Sequence, residues 1–203
     1  MAETDKKREL IIEGAIKRFI HYGINKTTMN EIAEDLSVSK PSLYYYFPDK
    51  TSLILGVVEK IFDDYYELLN KDYKSGSDLQ SMLLNIIEIK HRFFLRYYML
   101  HLSYGNPDPS LSSVELKSYL EKTVEKNRKF HQRLFEQAIL NKEIAPQEDI
   151  SKIAELYLSS QSGLTSLCIM HGNKELFPGK KELKLMKEKQ INLSKIFIKG
   201  LKI

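Results

Sequence analysis

Lys40, Ser42, Tyr44, Tyr45 and Tyr46 crowd into seven consecutive residues, and Lys50 follows four further on. These types suit one kind of chemistry, the gripping of a polyanion with a patterned edge. Lysine neutralises a phosphate or reaches a guanine edge, and serine reaches base edges. Tyrosine offers phosphate oxygens a hydroxyl on a rigid ring. The plain alternative is a small helical hairpin inside a core. Side chains one residue apart on a helix diverge by about 100°, so three tyrosines in a row cannot all face inward.

Two short helices must carry these side chains. Thr28 and Glu31 have capping-box spacing, a hydroxyl and then a carboxylate three residues on, which starts a helix. Met29, Ile32, Ala33 and Leu36 give that helix one apolar face. Ser37-Val38-Ser39 predicts a turn. Ser39 then caps a second helix, whose first turn tolerates Pro41 because its missing N–H is not needed there. Leu43 and Phe47 point inward and leave Lys40, Ser42 and the tyrosines outside. Pro48 ends the helix, and Asp49 caps a further one at Lys50. Two helices joined by a three-to-four-residue turn are the helix-turn-helix layout, whose second helix enters the major groove. Upstream, Ile11, Ala15, Phe19 and Tyr22 form a one-sided stripe on a helix over 5–22, stopped by Gly23. That helix completes a three-helix core, with Ile24 as its plug. Gly14 within it costs up to about 1 kcal/mol against alanine, which predicts close packing there.

These residues also carry a resemblance. Thr27-Thr28, then Glu31-Ile32-Ala33, then Val38-Ser39-Lys40-Pro41-Ser42-Leu43-Tyr44-Tyr45-Tyr46-Phe47, with Lys50 following, resemble the DNA-binding domain of the TetR family of bacterial repressors. The match runs from about Lys6 to Ile61. It implies that Thr28, Asn30, Lys40, Pro41, Ser42, Tyr44, Tyr45, Tyr46 and Lys50 face DNA. Asn30 matches a position that often reads bases from the first helix of the pair. One departure is Tyr46, where the family commonly has His. The C-terminal two-thirds of the family diverge widely, so the resemblance there covers architecture only.

The chain has 203 residues, 42% hydrophobic and 29% charged, an ordinary composition for a soluble globular protein. Its lone cysteine, Cys168, lies in an apolar run and excludes an internal disulfide or a cysteine-based zinc site. The polar start, Met1 to Arg8, has no apolar core segment behind it, and no apolar run is long enough to span a bilayer. A cytoplasmic protein is expected. The net charge is +4. Residues 1–60 hold nine Lys and Arg against nine Asp and Glu, so the charge of a DNA-binding domain must be sorted by face. Glu31, Glu34 and Asp35 have to look away from the duplex, while Lys26, Lys40 and Lys50 sit at helix ends that face it.

The rest of the chain is helical by pattern, which predicts an all-α fold. Residues 1–50 form the helix-turn-helix DNA-binding domain, with its motif at about 28–47. Residues 51–203 form a larger helical domain for effector binding and dimerisation. A long helix over 50–74 is shared, with Leu53, Val57 and Ile61 on the first core and Phe62, Tyr65, Tyr66 and Leu69 beyond it. Ser77 and Gln80 have capping-box spacing ahead of a nearly apolar helix from Leu79 to about Ser103. Loops are expected at 105–109 and 172–179, and helices over 112–141, 147–171 and 181–203, with Pro146 placed to start the second of these. Small residues Ser159, Ser160, Ser162, Gly163 and Ser166 allow close approach of another helix. Helices 147–171 and 181–203 are therefore expected to pair with their symmetry mates as a homodimer. The lysines of 181–203 read first as a solvated face, with a membrane-surface helix or a secondary DNA contact as the alternatives.

Enzyme signatures are absent: no Gly-rich phosphate loop, no Gly-x-Ser-x-Gly and no His-Glu-x-x-His. The five histidines are scattered, and no catalytic dyad, metal set or cofactor is expected. The placement of aromatic residues is informative. Phe62 and Tyr66 share one helix face, Phe94, Tyr97 and Tyr98 another, and His131 and Phe135 a third. If these faces met they would line an aromatic box with a few polar groups, suited to a small hydrophobic or aromatic effector. The resemblance implies the same, since such regulators usually hold an effector between the shared helix and those after it. The resulting expectation is a dimeric repressor on a pseudo-palindromic duplex, released by its effector. Its rivals are a ligand-independent regulator or activator of the same fold, and an all-helical small-molecule enzyme. The enzyme requires a perturbed acid–base pair.

Overall fold

The computed structural model describes residues 3–73, 77–97, 109–171 and 179–202. Its regular structure is α1 (Glu3–Tyr22), α2 (Met29–Asp35), α3 (Lys40–Tyr46), α4 (Lys50–Tyr73), α5 (Leu79–Arg96), α6 (Val114–Leu140), α7 (Ile150–His171) and α8 (Lys180–Leu201), with a 3-10 turn at Pro109–Ser112. Among the described residues there is no strand. The loops expected at 105–108 and 172–178, and Tyr98, lie outside them.

The caps explain where the helices begin. The Thr28 hydroxyl accepts from the Glu31 N–H, while the Thr28 N–H donates to the Glu31 carboxylate at 2.8 Å. Ser39 caps α3 and Asp49 caps α4 by accepting from the Ser52 N–H at 2.7 Å. One cap and two starts differ from the sequence reading. Asp78 caps α5 in place of Ser77, accepting from the Ser81 N–H at 3.0 Å. Ser113 caps α6, and Asp149 rather than Pro146 sets the start of α7. An ionised Asp next to the first turn accepts more strongly than a hydroxyl one residue away.

The chain forms two compact units, residues 1–66 with 93–121, and residues 67–92 with 122–203. In the first, Ile11, Ile12, Ala15, Phe19, Ile24, Met29, Ile32, Ala33, Leu43, Phe47, Leu53 and Val57 form one buried cluster. Each large apolar side chain so buried contributes roughly 1.5–3 kcal/mol. Tyr22 does not belong to the stripe. It is exposed, beneath the Arg18 guanidinium at 4.8 Å, and Ile12 and Ile16 take the inward places. Gly23 turns the chain at φ 81°, a left-handed conformation that suits glycine. A Cβ built on Gly14 would stand 2.6 Å from Leu36 Cδ2, so α1 and α2 cross in close contact there.

In the second unit α7 and α8 pack together around Tyr157, which is buried beside Phe135 and Phe197 at ring distances of 5.9 and 5.3 Å. A polar layer crosses this core. The Gln161 amide donates to the Gln190 carbonyl and the Ser194 hydroxyl, the Gln190 amide donates to the Gln161 carbonyl, and the Tyr157 and Ser194 hydroxyls meet at 2.8 Å. Ile196, placed inward by the sequence pattern, is exposed, and Ser194 and Ile198 are buried in its stead. No described helix is long and apolar enough to cross a membrane.

Candidate DNA-facing surface and effector region

α3 is fixed from beneath by Leu43 and Phe47, both buried, so its remaining positions are set outward. Tyr45 is 77% exposed and Tyr44 44% exposed, and Lys40 and Pro41 are exposed beside them. Ser42 is half-buried at the helix start. Tyr46 is half-buried and packs against the core, its ring 5.1 Å from that of Tyr45 in an edge-on arrangement. On α2, Thr28 and Asn30 are exposed, and Lys50 is half-buried at the start of α4. The side chains free to reach a duplex without moving the core are thus Asn30, Lys40, Tyr44 and Tyr45.

The balanced charge of this domain is sorted by pairing. Arg18 on α1 lies 2.6 Å from Asp35 and 2.9 Å from Glu31, tying two of the three α2 carboxylates to α1, while Glu34 is exposed. Its hydrogen bond to Asp35 raises the guanidinium's pKa. The Glu31 carboxyl is held below its usual range, first by the Thr28 N–H. One guanidinium offsets two of the acidic groups nearest to α3, and Lys40 is left exposed on the outer face. Local rather than domain charge is what phosphate binding requires.

The expected effector residues divide between the units. In the first, the Phe62 ring is 6.2 Å from Tyr119, and Tyr65 stands 5.3 Å from Tyr66 and 5.5 Å from Phe93. Tyr66 is buried, and burial pushes its hydroxyl's pKa up to about 12. Tyr97 is buried in the cluster of the DNA-binding core, and Phe94 is half-buried. In the second unit His131 and Phe135 are fully buried on α6, with the His131 ring 5.9 Å from Tyr157. Tyr65, Phe93, Tyr119 and Tyr157 join these groups without having been expected. Helical spacing names the residues of a face, but not its neighbours on another helix.

Lys90 was missed altogether. It follows the buried Leu83 and Ile87 at spacings of four and three on α5, so a lysine occupies an inward place. Burial lowers its pKa to about 8. His131 is lowered to about 3, first by burial and then by the charge of Lys90. Both are pushed toward the neutral form by the same cause. Cys168 is half-buried, and burial raises its thiol's pKa, which disfavours reactivity.

Residues 11–57 match the family model described as bacterial regulatory proteins, tetR family. An uncharacterised HTH-type transcriptional regulator of Bacillus subtilis, YuxN, is 38% identical over 73 residues, which are 36% of this chain and 25% of that protein. The HTH-type negative transcriptional regulator IcaR of the biofilm operon icaADBC in Staphylococcus epidermidis is 23% identical over 75% of this chain and 80% of its own length. The chain thus spans a quarter of the first relative and four-fifths of the second. A crystal structure of a transcriptional regulator from Cytophaga hutchinsonii superposes with a TM-score of 0.86 at 26% identity, covering 97% of this chain and 99% of the other.

Proposed function

We propose that this chain, whose residues 11–57 match the model of bacterial regulatory proteins of the tetR family, is a dimeric transcriptional repressor of that family, released from its operator by a small-molecule effector. The outer face of α3 carries this reading: Lys40, Tyr44 and Tyr45 are exposed on a helix locked from below, beside a helix two of whose carboxylates, Glu31 and Asp35, pair with Arg18. Phosphate contacts from such residues position the helix, and base contacts specify its site. Two heads related by a two-fold axis read half-sites one helical turn apart or a multiple of it.

Release requires a second site whose ligand prefers the state that does not bind DNA. The buried aromatic residues are the material for such a site, and a hydrophobic or aromatic effector fits them. Residues 50–66 of α4 belong to the unit of the DNA-binding core and 67–73 to the other, so one helix links the two. The test is selection of duplexes by the full chain from a random pool. The recovered sequences should converge on two half-sites related by two-fold symmetry. Recovery with no consensus, or with one unrepeated half-site, defeats the proposal.

A further inference from the structure

A lysine on an inward stripe ordinarily lays its stem along apolar surface and carries its ammonium out to water. Lys90 does otherwise. Its charged end lies deep enough for burial to lower its pKa to about 8, and no carboxylate pairs with it among the described residues. The residue is nonetheless only half-buried. A deep ammonium with no carboxylate beside it calls for an anionic partner, because a lone buried charge is costly.

Two of the unpartnered buried acceptors of the same unit lie on α6, one turn apart. The His131 Nδ1 lies 2.9 Å from the Asn127 carbonyl one turn earlier on α6. A carbonyl only accepts, so Nδ1–H is the donor and Nε2 is left as a bare acceptor. That Nε2 and the Oδ1 of Asn127 are both buried with no hydrogen-bond partner among the described residues. Buried polar groups are nearly always paired, so each lone one calls for an explanation. Lys90 is near enough to His131 for its charge to oppose protonation of the ring. Lys90 and His131 are thus neighbours, Asn127 lies one turn before His131 on α6, and the Tyr157 ring stands 5.9 Å from the imidazole.

The geometry points to Lys90, Asn127 and His131 as the polar end of the effector site, and to an effector that is a small organic carboxylate carrying a hydroxyl or N–H donor. The ammonium receives the carboxylate, and the two bare acceptors take the donor. This deepens the reading of the chain as an effector-released regulator and rests on it. A neutral aromatic ligand would leave the ammonium unpaired, and a cation would be repelled by it. The imidazole, neutral above pH 7, keeps its acceptor throughout the range tested.

Calorimetric and thermal-shift titrations of the full chain with matched acids and amides test this. The probes are salicylate against salicylamide, and para-hydroxybenzoate against para-hydroxybenzamide. At pH 7 the acids should bind at least about tenfold more tightly than their amides. Between pH 7 and pH 9 acid affinity should fall about tenfold, as the ammonium fraction of a group titrating near 8 falls by that factor. Lys90→Met should fold, melt higher than the wild type, and show no acid preference. The pH series on the wild type stands without the variant. Equal binding of acids and amides, or an acid preference that survives Lys90→Met, overturns the charge assignment and leaves an effector-released regulator standing. Failure of every probe to bind also overturns it. Release of the selected operator by some other small molecule then decides the broader reading separately.

Discussion

At the scale of single residues, the outer face of α3 separates two kinds of contact. On the proposed reading, exposed Tyr45 and, once it swings out from its half-buried place at the start of α4, Lys50 hold phosphates, whereas Lys40 and Asn30 meet base edges. Tyr45→Ala and Lys50→Ala should therefore weaken binding to specific and random duplexes alike. Lys40→Ala or Asn30→Ala should also narrow the gap between the two, by about 1–3 kcal/mol where the side chain makes a good two-point hydrogen-bonded pair with a base. Gel-shift titrations on both kinds of duplex measure this. Wild-type binding by all four variants would mean that another face meets the DNA. Tyr45 is 77% exposed, so its truncation should leave the fold's stability within about 0.5 kcal/mol of the wild type.

The helices meet through particular contacts, and the crossing of α1 over α2 is the tightest of those described. A Cβ on Gly14 would lie within 2.9 Å of three Leu36 side-chain atoms. Gly14→Ala gains up to about 1 kcal/mol of helix propensity but overpacks the crossing at a cost of about 1–3 kcal/mol. Leu36 is half-buried and yields in part, so the net effect should be a loss of about 1 kcal/mol. In a Leu36→Ala background the same substitution should be neutral or stabilising, because the obstacle is gone. Denaturant unfolding of the four proteins of that cycle gives the coupling directly. Additive effects would mean that the glycine serves no close approach. The polar layer of Gln161, Gln190 and Ser194 is the counterpart in the other unit. It fixes which turn of α7 faces which turn of α8, since sliding either helix would break several buried hydrogen bonds together.

For the whole molecule, the outward faces of α7 and α8 matter most. On α7, Leu156, Ser159, Gly163, Leu167 and Met170 recur at spacings of three and four and are all exposed. On α8, Leu185 and Ile196 are exposed as well, the latter at 69%. An apolar stripe of this kind, set with small residues, marks a surface for another protein, and a two-fold dimer places the same stripe on both sides of its axis. Sedimentation at micromolar concentration should find a dimer. Met170→Asp or Ile196→Asp should yield a folded monomer, because neither side chain supports the subunit's own core. Gly163→Leu should act likewise, since a Cβ there meets nothing within 4 Å in the single subunit. A monomeric wild type would end the paired-head mechanism.

Local rules were enough for much of this protein. The capping hydroxyls and carboxylates of Thr28, Ser39 and Asp49, the stop at Gly23 and the inward Leu43 and Phe47 depend on neighbours within one turn, so the DNA-binding head was legible as a string. The outward set of α3 followed once its inward pair was known. Even Gly14 announced a close approach, though not that Leu36 was the neighbour. The tertiary structure decided what depends on partners distant in sequence. Arg18 pairs with Glu31 and Asp35 across 13 and 17 positions, which a charge count over residues 1–60 cannot register. Tyr22 and Ile196 fit an inward period yet lie outside, while Ile12 and Ile16, and Ser194 and Ile198, take the buried places. Lys90 looked like any surface lysine until α5 was packed. Desolvation and unmet hydrogen bonds are properties of a surrounding volume, and only the folded chain encloses one.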